Sequence, residues 1–277
     1  MLIKEYIYNS LQDIYPPEEV KGLALIIGHS LLKLSGFDIY AGKYNGLSAE
    51  KKQLLENAIK RLRQYEPIQY IVGNAEFYGF SFAVAPGVLI PRPETEELVN
   101  LIICEANPNC RILDIGTGSG CIAIALAKKI AGSVVQGWDI SEQALAIAQK
   151  NNQYLKANAL FRKIDILTYT AQQTSFDIVV SNPPYITEQE KEIMHPNVLN
   201  WEPGTALFVP NNDPLLFYRA IATKAKEGLL LPNGKLYFEI NQQYGHETIR
   251  LLQDLGYNDI KLIKDLFGND RIITART

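Results

Sequence analysis

Apolar positions in the first seventy residues recur at helical spacing: Leu11, Ile14, Val20, Leu23, Ile27, Leu31 and Leu32 form one such series. A glycine- and tyrosine-rich stretch from Gly36 to Gly46 interrupts it. Leu47-Ser48-Ala49-Glu50 then reads as a helix start, with Leu54, Leu55, Ile59 and Leu62 marking the apolar face. The pattern predicts a small helical bundle, with Tyr6, Tyr8 and Tyr15 in its core.

From Tyr70 the period changes. Residues 76–84 are aromatic and β-prone, with Gly79 placed to turn a short hairpin. Pro86-Gly87 and Pro91-Arg92-Pro93 break the chain before a helix whose first turn carries Glu94, Glu96 and Glu97, favourable at the positive end of its dipole. Strands are then predicted at 111–115, 133–139, 160–164, 176–181 and 234–240. Helices are predicted at 121–129, from Ser141-Glu142 onward, and at 215–227. This alternation with short connections specifies an α/β fold with a parallel, doubly wound sheet. The end reads helix, strand, a turn at Gly268-Asn269-Asp270, then a strand at 271–275, and so short a turn makes the last strand pair antiparallel. The division expected is 1–73 helical, 74–86 a hairpin connector and 87–277 the α/β domain.

A chain of 277 residues, 47% hydrophobic, can bury a large core plus a smaller partner domain. A formal net charge of −3 offers no bulk attraction for a nucleic-acid backbone. Cys104, Cys110 and Cys121 lack paired spacing and read as thiols in a reducing cytosol. With His29, His195 and His246 equally scattered, no metal site is expected. The N-terminus carries no signal-peptide pattern, and runs such as 23–27 are too short to span a bilayer. A soluble, monomeric, cytoplasmic protein is expected.

Candidate chemistry begins at Asp114-Ile115-Gly116-Thr117-Gly118-Ser119-Gly120, which follows an apolar strand and opens an apolar helix. Glycines there let the backbone bend sharply and a ligand approach. The spacing departs from the pyrophosphate-binding G-x-G-x-x-G, and the preceding Asp114 suits the amino group of a methionine moiety, directly or through water. Asp139, closing the next strand, is placed to accept both hydroxyls of a ribose. After the third strand, Asp165 can take an adenine amino group while Ile166 packs on the ring; Asp165 also reads as a helix cap. The set points to S-adenosylmethionine, with a dinucleotide as competitor.

Ser181-Asn182-Pro183-Pro184-Tyr185 follows the fourth strand, at the sheet edge where ligands of such folds bind. An amide nitrogen is a poor nucleophile because its lone pair is delocalised. The Asn182 side-chain oxygen and the Pro183 carbonyl can accept from its two N–H bonds, aim it at a sulfonium methyl and favour pyramidalisation. Pro183 and Pro184 stiffen that carbonyl. Tyr185 offers an aromatic face to a flat acceptor, with cation–π assistance to the sulfonium. Catalytic candidates are therefore Asn182, Pro183 and Tyr185, with Pro184 joining them in substrate binding.

Asn-Pro-Pro-Tyr after a Gly-rich loop resembles the amino-methyltransferases, which include DNA adenine and protein glutamine enzymes. Segments 66–73, 76–79 and 86–96 look like the connector of the release factor glutamine methyltransferases, the HemK/PrmC family. Trp201-Glu202-Pro203, Ala206-Leu207-Phe208 and residues 265–271 match it too. The resemblance implies a Rossmann-like class I methyltransferase sheet, mostly parallel with one antiparallel strand. It also implies methylation of the N5 amide nitrogen of glutamine in the Gly-Gly-Gln motif of class I peptide chain release factors. Gly116 to Gly120, Asp139, Ile166 and Asn182 would bind S-adenosylmethionine, and Asn182 to Tyr185 would hold the glutamine. Ile166 departs from the aromatic that many relatives carry there. The helical N-terminal region would be the docking arm for the release factor or a stabiliser of the fold.

Arg92 and Glu94 read either as functional, in a loop closing over the cofactor, or as helix-start chemistry. Glu202 and Glu239 read as braces of the acceptor loop or as partners of backbone amides, and His195 as a surface or loop-packing residue. Rival functions are a glutamine methyltransferase acting on a ribosomal protein, and a DNA adenine N6-methyltransferase. The latter wants a basic target-recognition region and room for a flipped base. A nicotinamide-dependent oxidoreductase would prefer G-x-G-x-x-G and has no use for the Asn182–Tyr185 segment.

Overall fold

The computed structural model describes residues 1–170 and 175–277. The chain divides into two compact units, one of Met1–Asn74 with His195–Trp201, the other of Ala75–Met194 with Glu202–Thr277.

The first unit holds α1 (Ile3–Leu11), α2 (Pro17–Ile26), α3 (Gly36–Ala41), α4 (Ala49–Leu62) and α5 (Ile68–Val72). Ser48 caps α4 by accepting from Lys51 N–H, at the helix start that the sequence predicts. The predicted break at Gly36–Gly46 instead contains α3. Ser35 and Asp38 close it with a reciprocal capping box, and its single buried residue, Ile39, is too little to register as a periodic signal. Ile39 presses on α2's extension at Gly28, where an added Cβ would meet its Cδ1 at 2.3 Å. The core collects Ile3, Ile7, Leu11, Val20, Leu55 and Leu62. Tyr15 is in that core, donating its hydroxyl to the Leu62 carbonyl at 2.7 Å. Tyr8 and Leu54, expected inside, are exposed, and Ala58 takes the buried place on α4. The 195–201 segment belongs here because Trp201 Nε1 donates to the Gln64 carbonyl and the His195 ring meets Tyr65 edge-on. His195 also accepts from Asn197 N–H at the head of a short helix, as a loop-packing residue would.

The second unit opens with the hairpin of β1 (Asn74–Phe77) and β2 (Phe80–Ala83). Tyr78 and Gly79 both adopt positive φ, 50° and 77°, which gives the two-residue turn whose twist suits a hairpin. The hairpin groups with the sheet instead of standing as a separate connector. Asn151 of a later helix grips Ala83 through both its N–H and its carbonyl, at 2.7 and 3.0 Å. Next come α6 (Pro93–Glu105), β3 (Arg111–Ile115), α7 (Cys121–Lys129), β4 (Val134–Asp139), α8 (Glu142–Tyr154), β5 (Leu160–Lys163) and β6 (Phe176–Ser181). The sequence does not announce β7 (Ile186–Thr187) and β8 (Phe208–Val209), a two-residue parallel pair, with α9 (Pro196–Leu199) and α10 (Gly204–Leu207) between them. The chain ends with α11 (Leu216–Lys224), β9 (Leu230–Glu239), α12 (Gly245–Asp254), β10 (Asn258–Lys264) and β11 (Asp270–Arg276). The predicted helix at 215–227 closes at Lys224 into a wider turn where Gly228 takes a φ of 135°.

Among the described residues, seven strands form one sheet in the order β10-β11-β9-β6-β3-β4-β5. Only β11 runs against its neighbours. Alternation of side chains sends Ile112, Ile178, Val180 and Tyr237 to the face covered by α6 and α7. Leu113, Val179, Leu236 and Phe238 pack on the opposite face against α11 and α12. Since β4 lies on one side of β3 and β6 on the other, the chain reverses direction across the sheet at β3–β6. The crevice beyond their carboxyl ends is where such sheets take ligands. No described helix is long and apolar enough to cross a membrane.

Candidate active site

At that crevice lies a cavity of about 390 Å³. Gly116, Gly118, Asp139, Asp165 and Ile166 line one part, and Asn182, Pro183 and Pro184 another. The structure therefore brings the two motifs predicted from sequence into one space.

The glycine loop is built by its backbone. Gly116, Gly118 and Gly120 take φ of 74°, 54° and 80°, a region that residues with a Cβ rarely enter. The N–H groups of Gly116 and Thr117 both donate to the Trp138 carbonyl, at 2.8 and 3.0 Å, fastening the loop to β4. Gly116 leaves open space where a Cβ would be. At Gly120 a Cβ would sit 3.1 Å from each of Ala148, Ile124 and Phe161. Gly116 thus serves ligand approach and Gly120 serves packing.

Asp114, Thr117, Ser119 and Gly120 are outside the lining. Asp114 is expected to meet a methionine amino group, but its carboxylate is sealed beneath the loop. It shares the strand face of Ile112, under the start of α7. Its Oδ2 accepts from the Thr117 hydroxyl at 2.7 Å and from Ala123 N–H at 3.2 Å. Its Oδ1 and the Ser119 hydroxyl have no partner among the described residues. Burial pushes the Asp114 carboxyl up to about 7, against the pull of those two donors.

Asp139 does face the cavity. One of its oxygens accepts from Gly118 N–H and the other from Ser141 N–H, each at 2.9 Å. Both oxygens keep a second lone pair for a diol. Burial raises its pKa and those amides oppose the rise. Asp165 caps the following turn through Leu167 N–H at 2.9 Å and the Thr168 hydroxyl at 3.2 Å, as the cap reading expects, and lines the cavity as well. Carboxylates at the tips of β4 and β5, with Ile140, Ile166 and Leu167 between them, offer polar ends and an apolar slot. That donor set fits a nucleoside, and no lysine or arginine is among the lining residues to favour a pyrophosphate.

In the acceptor half, Asn182 Nδ2 donates to Thr95 Oγ1 at 3.2 Å, and the Thr95 hydroxyl donates to Glu239 Oε2 at 2.6 Å. The Tyr185 hydroxyl reaches the other Glu239 oxygen at 3.4 Å. Tyr185, expected to face the acceptor, is not in the cavity lining. Its ring packs with the core shared by α11 and β9. Burial and the Glu239 charge hold the phenol protonated, well above its ordinary pKa. Thr95 sits in the first turn of α6, inside the 86–96 segment that carries the family resemblance, but nothing local gives it a chemical role. Glu202 accepts from Ile90 N–H at 3.0 Å and from Arg92 at 2.5 Å, so it is the partner of a backbone amide and of Arg92 in the segment before α6 and not a brace of the Asn182–Tyr185 loop. Arg92 accordingly ties down the segment before α6.

Fold and cavity together define a class I S-adenosylmethionine-dependent methyltransferase. A methyltransferase from Pyrococcus furiosus superposes with a TM-score of 0.55 at 18% identity, over 80% of this chain and 98% of that one, a likeness of fold. A family profile for the methyltransferase small domain matches residues 95–200, and one for the PrmC N-terminal domain matches residues 5–73. The release factor glutamine methyltransferase of Bacteroides thetaiotaomicron is 59% identical over 99% of this chain and 98% of its own length. That of Flavobacterium psychrophilum is 44% identical over the same shares. The chain belongs to the release factor glutamine methyltransferase family, and the resemblance read from its connector and C-terminal turn is borne out.

Proposed function

We propose that this enzyme transfers the methyl group of S-adenosylmethionine to the N5 amide nitrogen of the glutamine in the Gly-Gly-Gln motif of class I peptide chain release factors. The observation that carries this reading is the continuity of one cavity from Asp139 and Asp165 to Asn182 and Pro183. A cofactor half and an amide-accepting half share it without an intervening wall of side chains.

The cofactor, when bound, supplies a methyl group already activated by positive sulfur. Asp139 and Asp165 would hold its ribose and adenine ends, with Ile166 against the ring, while Gly116 and Gly118 allow close backbone approach. Asn182 Oδ1 and the Pro183 carbonyl would each accept one N–H of the substrate amide, turning its lone pair toward the methyl. Catalysis is then mostly alignment. No general base is required before attack, because the amide proton becomes acidic once nitrogen bonds carbon. This agrees with a site where Glu239 has a donor on each carboxylate oxygen, from Thr95 and Tyr185, and Asp114 lies outside the cavity lining.

The enzyme is read as a cytoplasmic monomer whose substrate is a protein, with a net charge of −3 giving no attraction for nucleic acid. The test is incubation with labelled S-adenosylmethionine and, separately, release factor, ribosomal protein and DNA, with the methyl group mapped by mass spectrometry. Label on the release factor glutamine is expected; label confined to ribosomal protein or DNA overturns the assignment.

A further inference from the structure

The geometry points to Thr95 and Glu239 as positioning residues that hold the Asn182 amide with its oxygen toward the substrate. This rests on the reading of Asn182 as acceptor for the substrate amide. An asparagine side chain is nearly the same shape in its two orientations, but not the same chemistry. With oxygen outward it accepts an N–H of the glutamine; with nitrogen outward it opposes donor to donor.

The choice is made two residues away. Ionised, Glu239 can only accept, so the Thr95 hydroxyl, 2.6 Å away, commits its hydrogen to it. Thr95 Oγ1 then has only lone pairs left, and its other neighbour, Asn182 Nδ2 at 3.2 Å, must be the donor. Asn182 Oδ1 is thereby turned from Thr95 toward the cavity that Asn182 lines. Thr95 is 2% exposed and Glu239 1%, so bulk water does not offer competing partners. Through its second oxygen the same carboxylate engages Tyr185, so both ends of the Asn182–Tyr185 segment report to one buried group. The polarity of the acceptor is thus imported from α6 and β9.

The test compares Thr95→Val, which keeps the shape and removes the hydroxyl, with Thr95→Ser, which restores it. Single-turnover methylation of the release factor is read beside S-adenosylmethionine affinity by calorimetry. Thr95→Val should slow transfer about tenfold, the size of one oriented hydrogen bond. Its cofactor affinity should stay unchanged, and Thr95→Ser should recover most of the rate. Glu239→Gln, whose amide can donate to Thr95 and let the chain of bonds reverse, should fall at least as far as Thr95→Val. Wild-type transfer in Thr95→Val, or equal losses in Thr95→Val and Thr95→Ser, overturns the positioning role. An Asn182→Ala control separates the two readings. If it keeps full transfer, the acceptor reading falls and the positioning role with it. If it is inactive while Thr95→Val is normal, only the positioning role falls.

Discussion

The Thr95 hydroxyl and the Glu239 carboxylate lie 2.6 Å apart across 144 positions of sequence, joining the first turn of α6 to the end of β9. Their contact follows from the sheet. Glu239 shares the parity of Tyr237, whose side chain faces the layer where α6 packs.

That bond should give methyl transfer an acidic limit. Burial raises the pKa of Glu239, and Glu94 adds to the rise, while Thr95, Arg271 and Tyr185 oppose it. Tyr218 donates to the Glu239 backbone carbonyl, and the buried Cys121 thiol also lies within reach of the Glu239 charge. Because the pKa is raised, protonation occurs at a higher pH than in a free carboxyl. As pH falls through that value, Glu239 gains a hydrogen to donate and the bond direction at Thr95 can reverse. The single-turnover rate should therefore drop on acidification at a pH above the ordinary glutamate range. Glu239→Gln should lack that limb and be uniformly slow. A variant profile that parallels wild type would contradict the account.

Asp114 predicts a pH-dependent stability. Its folded-state pKa of about 7 exceeds the ordinary aspartate value near 4, so the folded protein holds the proton more tightly. The resulting stability is complete below about pH 4 and is lost as pH rises through about 7, amounting to a few kcal/mol at most. Asp114→Asn can still accept from Thr117 and Ala123 through its oxygen. Melting of the cofactor-free protein between pH 5 and 8 should decline less in this variant than in wild type, and equal declines would refute the assignment.

Asn151 is fully buried and joins β2 to the glycine loop, donating to the carbonyls of Ala83 and Ser119 and accepting from Ala83 N–H. Asn151→Ala leaves those backbone groups without partners and should cost about 2–4 kcal/mol of unfolding free energy. Denaturant titration would measure this. A loss under 1 kcal/mol would mean that water replaces the amide and that the hairpin is not held by it.

The features legible in the sequence were those written in neighbouring residues. Strand–helix alternation gave the sheet, Gly116 to Gly120 and Asp139 gave the cofactor edge, and Asn182 to Pro184 gave the acceptor edge. Helix α3 was hidden because a helix burying only Ile39 leaves no periodic trace. The strands β7 and β8 are too short to show alternation. Asp114 was misplaced because its position beside the loop suggested ligand contact, whereas strand parity buries it beneath α7. The role of Thr95 is not legible even within the 86–96 segment: a threonine in a first helical turn is ordinary, and what sets it apart is a carboxylate supplied by a distant strand. Tyr185 shows the same limit, since its motif position hinted at substrate while its hydroxyl serves Glu239.

The central claim is that Asn182 accepts the substrate amide at a cofactor site that stands without it. The most direct measurement is transfer of labelled methyl to release factor by Asn182→Ala, with S-adenosylmethionine affinity determined on the same preparation. The account predicts largely retained cofactor affinity and a loss of transfer of at least about a hundredfold, the scale seen when one oriented group at a reacting centre is removed. Transfer within a fewfold of wild type would contradict it.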